Sequence, residues 1–159
     1  MIKKLFLRYK SKSAHRSSEH LSYSEATQIG ILYNADEFAK EIIDEMIDSL
    51  KTDEKNVEIL GFELEPKENS FLFSKKDISN TGEFKNEKVS SFVNKPFDFL
   101  VSLDSSENMN YRFVLALCKS SCKIGIESNE YYELLHMALK KNGSPVESMR
   151  SVMKYLKMI

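Results

Sequence analysis

The alternation of strand-like and helix-like segments is the feature that most constrains the fold of this chain. Residues 27–35 (TQIGILYNA) and 56–66 (NVEILGFELEP) have the β-branched and aliphatic density of buried strands. Between them, apolar side chains recur at every fourth position, as in an amphipathic helix over 35–53: Phe38, Ile42, Met46 and Leu50. A strand, a helix and a strand in this order predict a βαβ unit with parallel strands and a right-handed crossover.

The same alternation continues to the end of the chain. Strands are predicted at 97–104 and 122–128, and helices at 86–95, 106–121, 129–143 and 144–159. The last helix has Ser144 as its cap and Pro145 at its first position. Residues 70–79 fit either an edge strand or part of a hairpin. The fold is therefore predicted to be a three-layer α/β sandwich, with a mostly parallel, Rossmann-like sheet in flavodoxin-like order and the first strand in its centre.

Length and composition indicate one soluble domain. The chain has 159 residues, of which 42% are hydrophobic and 30% charged. No apolar run approaches the roughly 20 residues that span a bilayer, and the start lacks the long apolar stretch of a secretory signal. Two cysteines are too few for a disulfide framework, so they are expected to be reduced thiols in a cytoplasm.

The junction YNADEF, residues 33–38, lies where many α/β proteins bind a phosphate or a cofactor. It has no glycine, and neither GxGxxG nor GxxxxGK[ST] occurs in the chain. Asn34 and Glu37 have capping-box spacing, and Asp36 and Glu37 suit the positive end of a helix. The junction is therefore predicted to be a capped helix start rather than a dinucleotide or Walker-type loop, and no cofactor is predicted.

Four polar residues are nevertheless predicted to meet at a ligand crevice, because the carboxyl ends of the strands share one edge of the sheet: Asn34, Asp36, Asp104 and Ser105. The two carboxylates could coordinate a hard cation or act in acid–base chemistry. The alternative is that DSSEN, residues 104–108, simply caps the next helix with Ser105 or Ser106. No catalytic residue is predicted, because no histidine accompanies these groups.

Histidine and cysteine give no further site. His15 and His20 lie near the N-terminus, and His136 is predicted on the surface of a helix. Cys118 and Cys122 are four residues apart, but no second Cys/His pair completes a zinc site. No metal is predicted.

The N-terminal segment carries most of the charge asymmetry. Six basic residues stand against Glu19 alone in residues 1–20: Lys3, Lys4, Arg8, Lys10, Lys12 and Arg16. This segment therefore carries +5, so the rest of the chain, whose total is −1, carries −6. Phe6 and Tyr9 lie between the basic residues and could stack on bases. A basic N-terminal arm at 1–25 and a single α/β domain at 26–159 are predicted.

The arm favours a non-enzymatic module that binds an anionic partner, RNA or a ribonucleoprotein. An anionic membrane surface and a merely solvated terminus are the alternatives for the arm. The alternative for the whole protein is a small enzyme or ligand-binding protein that uses the crevice near Asp36 and Asp104.

The strands IGILYNA, FDFLVSLD and CKIGIES, with the closing helix SVMKYLKMI, give the chain a resemblance to a family of small bacterial α/β proteins of unknown function. The resemblance covers nearly the whole chain, including the basic arm. More distantly, FDFLVSLD and the helix after it are similar to the N-terminal Rossmann-like half of heptosyltransferase-type glycosyltransferases. The resemblance implies an α/β fold. It assigns no functional residue, because the family has no established activity.

Overall fold

The computed structural model describes residues 21–159, and residues 1–20, with every basic residue named above, lie outside the described residues. Five strands form one parallel sheet in the described part: β1 (Gln28–Asn34), β2 (Asn56–Phe62), β3 (Phe97–Leu103), β4 (Ser120–Ile126) and β5 (Met137–Leu139). Their order is β2-β1-β3-β4-β5, which is the flavodoxin-like order. The predicted fold class is confirmed. β1 lies inside the sheet between β2 and β3, although the middle strand of the five is β3.

Helices cover both faces of the sheet. Four α-helices are present in residues 21–159: α1 (Lys40–Thr52), α2 (Glu87–Asn94), α3 (Met109–Leu117) and α4 (Pro145–Met158). The apolar residues of α1 and α4 pack on one face, and those of α2 and α3 pack on the other. None of the helices described here is long and apolar enough to span a membrane.

The period of two in a strand decides which side chains share a face. In β1, Ile29, Ile31 and Tyr33 belong to the core under α1 and α4. Leu32 points to the opposite face and packs in the core under α2 and α3. Asn34 follows Leu32 by two residues and therefore faces the same side as Leu32. This alternation places a polar side chain at the edge of the α2/α3 core.

The predicted capping of α1 by Asn34 and Glu37 is wrong. The helix begins at Lys40, and its N-cap residue Ala39 makes no side-chain capping bond. The oxygen of the Asn34 side chain instead accepts from the backbone N–H of Asp36 at 3.0 Å. The Glu37 carboxylate binds Ser105 instead of a helix end. Partners distant in sequence have overridden the local capping pattern.

The predicted helix at 129–143 is also wrong. Residues 129–134 form turns, and Met137–Leu139 forms the short strand β5, which pairs with Ile124–Ile126 of β4. Met137 and Leu139 pack against the α1/α4 core, whereas Tyr131 is buried in the α2/α3 core. The apolar residues of this segment therefore serve two faces of the sheet, although their spacing imitates one face of a helix.

The structure confirms some of the other local predictions and corrects the rest. Ser144 caps α4 with a complete capping box, and Pro145 occupies the first turn, as predicted. The stretch DSSEN does cap α3, but its last residue, Asn108, is the cap instead of Ser105 or Ser106. Residues 70–79 form a short 3-10 helix, Lys75–Asp77, and two isolated bridges instead of a regular edge strand. Phe73 bridges Phe62 in parallel, and Ile78 bridges Phe84 in the antiparallel sense, as in the hairpin alternative.

The first described residues are fastened to the amino edge of the sheet. Tyr23 is buried, and its hydroxyl donates to the Asp53 carboxylate at 2.7 Å. The ammonium of Lys157 lies 2.7 Å from the same carboxylate. The hydrogen bonds from Lys157 and Tyr23 hold the pKa of Asp53 below its ordinary value. Residue 21 therefore leads into the domain at the edge opposite the carboxyl ends of the strands.

Candidate functional site

The carboxyl ends of β1 and β3 form the switch point of the sheet. The chain leaves β1 toward α1 on one face and leaves β3 toward α3 on the other face. The two connections diverge, and a crevice opens between them. Ligands of open α/β sheets bind at such a point.

A buried carboxylate joins the loops at this point. Asp104 is fully buried, and it accepts hydrogen bonds from the Asn34 amide at 2.7 Å and from the Ser106 hydroxyl at 2.7 Å. The hydroxyl of Tyr131 donates to its second oxygen. These four residues, the Asp104 network, join the segments that follow β1, β3 and β4.

Strand register brings the network together. Leu32 of β1 pairs with Ser102 of β3, so Asn34 comes to lie beside Asp104, two residues further along each strand. Tyr111 of α3 covers this part of the sheet. Its hydroxyl donates to the backbone carbonyl of Leu32 at 2.7 Å and lies 3.0 Å from the Ser102 hydroxyl.

Burial raises the pKa of Tyr111 and of Tyr131, and the negative charge of Asp104 raises both further. Both phenols are therefore protonated at physiological pH. A protonated Tyr131 is a donor to Asp104, which fits the bond that is observed. The network consequently supplies neutral donors to a buried carboxylate.

Above the network lies the switch-point cleft, with a volume of about 360 Å³. Asn34 contributes to its lining, and six further polar side chains line it: Asp36, Glu37, Ser105, Ser106, Asn108 and Lys141. Phe62 and Leu64 form its apolar part. The volume lies within the range of small-molecule sites, roughly 300–1,000 Å³.

Two acidic side chains of the cleft have defined partners. Glu37 accepts from the backbone N–H of Ser105 at 2.9 Å and from the hydroxyl of the same residue. The Lys141 ammonium lies 3.4 Å from a Glu37 oxygen and 3.3 Å from the Ser105 hydroxyl. Asp36 is exposed and accepts from the backbone N–H of Leu64 at 2.8 Å. The cleft therefore presents two carboxylates and one ammonium.

The four residues predicted for the crevice all lie at this edge, in different environments. Asn34 contacts Asp104 directly, and Ser105 contacts Glu37. Asp36 turns toward the segment after β2 and lies on the cleft wall. Asp104 lies beneath the cleft and not in its lining. Asp104 is therefore a buried carboxylate that holds the loops together, whereas Asp36 is an exposed carboxylate on the wall of the cleft.

Sequence reasoning missed four polar residues of this region: Glu37, Asn108, Tyr131 and Lys141. Glu37 was assigned to a helix cap, although its acidic side chain next to Asp36 was a usable signal. The predicted helix over 129–143 contains Tyr131 and Lys141, so the sequence pattern brings neither residue to the strand ends. Recognition of β5 would have placed Lys141 just beyond a strand end.

Within the described part of the chain, neither a reactive thiol nor a metal-binding cluster provides a second candidate functional site. Burial raises the pKa of Cys118 to about 12 and raises that of Cys122, so both thiols are protonated at neutral pH. His136 lies between β4 and β5, where its Nδ1 accepts from the backbone N–H of Lys123 at 2.8 Å. Across residues 21–159, no group of three or more His, Cys, Asp or Glu side chains could hold a metal ion.

Comparison with known proteins identifies a family and no named relative. No curated protein and no solved structure matches the chain, so the bacterial origin and the likeness to heptosyltransferase-type glycosyltransferases stay predictions. The model of one family, described as a family of unknown function (DUF6913), matches residues 1–159. The match covers the entire chain, and the chain therefore belongs to the DUF6913 family.

Proposed function

We propose that this protein is a non-enzymatic binding module that contacts RNA or a ribonucleoprotein through its basic N-terminal residues. The observation that carries the proposal is the separation of charge, +5 in residues 1–20 against −6 in the rest of the chain. Lys and Arg side chains neutralise phosphates and release counterions, which favours binding to nucleic acid. The basic residues concerned are the six named above, from Lys3 to Arg16.

The residues that follow the basic segment are held to the domain by contacts of their own. Tyr23 and Ala26 are buried, and Lys55 donates to the backbone carbonyls of both residues at 2.8 and 2.7 Å. Removal of residues 1–20 therefore removes the basic charge and leaves these contacts in place.

Deletion of residues 1–20 is expected to leave the thermal midpoint nearly unchanged and to abolish binding to single-stranded RNA. For the full chain, six phosphate contacts predict that affinity falls by roughly two to three orders of magnitude when salt rises fourfold. Fluorescence anisotropy with a labelled RNA across a salt series measures both effects.

A full-length variant with the six basic residues replaced by glutamine is the matched control, because it keeps the length of the segment. It should bind RNA as weakly as the truncation does. RNA binding that is independent of salt would contradict the proposal, and so would preferential binding to anionic lipid vesicles. A truncation that unfolds the domain would show that the segment is structural.

A second candidate function is the binding of a small ligand, with or without chemistry, in the switch-point cleft. The observation that favours it is the recess of about 360 Å³ at the divergence of β1 and β3. The cleft lies at the carboxyl edge of the sheet, about 20 Å along β1 from the edge where residue 21 is attached. The two candidate functions can therefore be tested separately.

A ligand of the cleft is expected to stabilise the native chain by about 2.7 kcal/mol at roughly 100 times its Kd. A thermal-shift screen of metabolites and metal ions measures this effect. The paired replacement of Asp36 and Lys141 by alanine should remove it, because both charged walls of the cleft are lost. Asp48→Ala with Lys51→Ala, on an exposed part of α1, is the charge-matched control. Equal stabilisation of both variants would place the ligand elsewhere.

A further inference from the structure

The switch-point cleft has unused hydrogen-bond acceptors. Asp36 is exposed, and within residues 21–159 its carboxylate accepts one bond, from Leu64, so its other oxygen is open to a ligand. Glu37 accepts from Ser105 through both oxygens and lies beside Lys141. A carboxylate has about four acceptor positions, so each of these groups can accept further bonds.

The cleft has unused donors as well. The side-chain oxygen of Asn108 caps α3 by accepting from the backbone N–H groups of Asn110 and Tyr111 at 2.8 and 3.4 Å. Its side-chain nitrogen has no hydrogen-bond partner among residues 21–159. Lys141 approaches two acceptors, which leaves one of its three ammonium protons for a ligand. Donors and acceptors are thus available within one recess.

The cleft holds two carboxylates and one ammonium, so its charges disfavour an anionic ligand. A phosphate or carboxylate would face the negative charges of Asp36 and Glu37. An amine would compete with Lys141 for Glu37. A hydroxyl group can donate to a carboxylate and accept from an ammonium or amide at the same time. Hydrogen bonds from hydroxyls to carboxylates are charge-assisted and therefore stronger than neutral ones.

Apolar surface accompanies these polar groups. Leu64 is 52% exposed on the wall of the cleft. A second recess of about 560 Å³ shares Ser105 and Lys141 with the cleft, and it carries the ring of Tyr132, which is 70% exposed. An exposed aromatic ring provides a flat apolar face beside polar groups. The two recesses together offer both hydrogen-bonding and apolar contact to a ligand.

From these observations we infer that the switch-point cleft binds an uncharged sugar, through hydroxyl groups held between the carboxylates of Asp36 and Glu37 and the donors of Lys141 and Asn108. The inference rests on the ligand-binding function proposed for the cleft and specifies its ligand class. A longer sugar reaches the second recess and contacts Tyr132. A monosaccharide bound at Asp36 does not need that contact.

The test is an NMR titration of the full chain with D-glucose, D-ribose and maltose, followed through backbone amide shifts. Saturable shifts are expected at the amides of Leu64 and Ser105, because these groups donate to Asp36 and Glu37. Glucose 6-phosphate and glucosamine are the charged comparators. Glucose 6-phosphate should bind more weakly than glucose, because it faces two carboxylates. Maltose should bind more tightly than glucose.

Variants separate the contributions of the groups. Asp36→Asn keeps an oxygen for the Leu64 amide but removes the charge, and it should weaken glucose binding roughly fivefold. Asp48→Asn on α1 is the matched control and should have no effect. Tyr132→Ala should weaken maltose binding and leave glucose binding unchanged.

The possible outcomes distinguish this inference from the function on which it rests. If none of the three sugars gives saturable shifts, while another ligand stabilises the native chain but not the variant that lacks Asp36 and Lys141, the cleft binds ligands and the sugar inference is wrong. If neither a sugar nor any other ligand acts there, both are wrong. Tighter binding of glucose 6-phosphate or glucosamine than of glucose also overturns the inference.

Discussion

Replacement of Asp104 by alanine is expected to lower the free energy of unfolding by about 3–5 kcal/mol. The carboxylate is fully buried, and its loss leaves two buried donors, the Asn34 amide and the Tyr131 hydroxyl, without this acceptor. Each buried donor left unpaired costs about 1–3 kcal/mol. Urea unfolding at neutral pH, followed by far-UV circular dichroism, measures the difference.

The partner variant Tyr131→Phe provides the control for this prediction. It removes one donor while Asp104 keeps its bonds to Asn34 and Ser106, so a smaller loss of about 1–2 kcal/mol is expected. In the double variant, the two losses should be less than additive, because the same hydrogen bond is removed twice. A loss below about 1 kcal/mol for Asp104→Ala would show that the network contributes little to stability.

The large loss of stability expected for Asp104→Ala limits what this variant can show about ligand binding. Asp104 was predicted as a ligand-crevice residue, and its position beneath the cleft makes its removal a test of loop organisation rather than of ligand contact. Asp36 is exposed on the cleft wall, so its replacement tests contact more directly. A screen that relied on Asp104→Ala alone would not distinguish a lost ligand contact from a displaced loop.

Long periodic segments could be predicted from the sequence because their own residues determine them. Met46 and Leu50 of the predicted stripe are buried in α1, and Ile42 is partly buried against the same core. The Ser144–Pro145 start of α4 is determined by local chemistry. The parallel order followed from the βαβ rule, which restricts the possible connections. These features do not depend on contacts with distant residues.

The remainder could not be predicted because it depends on partners far away in the chain. Glu37 binds Ser105, which is 68 residues further on, and Asn34 binds Asp104 across 70 residues. The strand β5 has only three residues, and its pairing with β4 decides its conformation. Local propensity is a weak prior for so short a segment, and tertiary contacts override it.

Phe99→Ala is expected to lower the free energy of unfolding by about 3–5 kcal/mol, which is similar to the effect of Asp104→Ala. Phe99 lies fully buried in β3, paired with Ile29 of β1 and Cys122 of β4. Loss of its ring leaves a cavity in the core under α1 and α4. Urea unfolding measures the loss, and Phe99→Leu should cost less because most of the volume is kept.

The two variants should differ in their effect on the cleft, although both lie on or just after the same strand. Phe99 belongs to the α1/α4 core, whereas Asp104 binds Tyr131, which packs in the α2/α3 core. The amide resonances of Ser105 and Ser106 should therefore be retained in Phe99→Ala and shifted in Asp104→Ala, where Ser106 loses its acceptor. If the two variants shift these resonances equally, the Asp104 network does not organise the cleft locally. The loops at the switch point would then depend on the stability of the whole sheet.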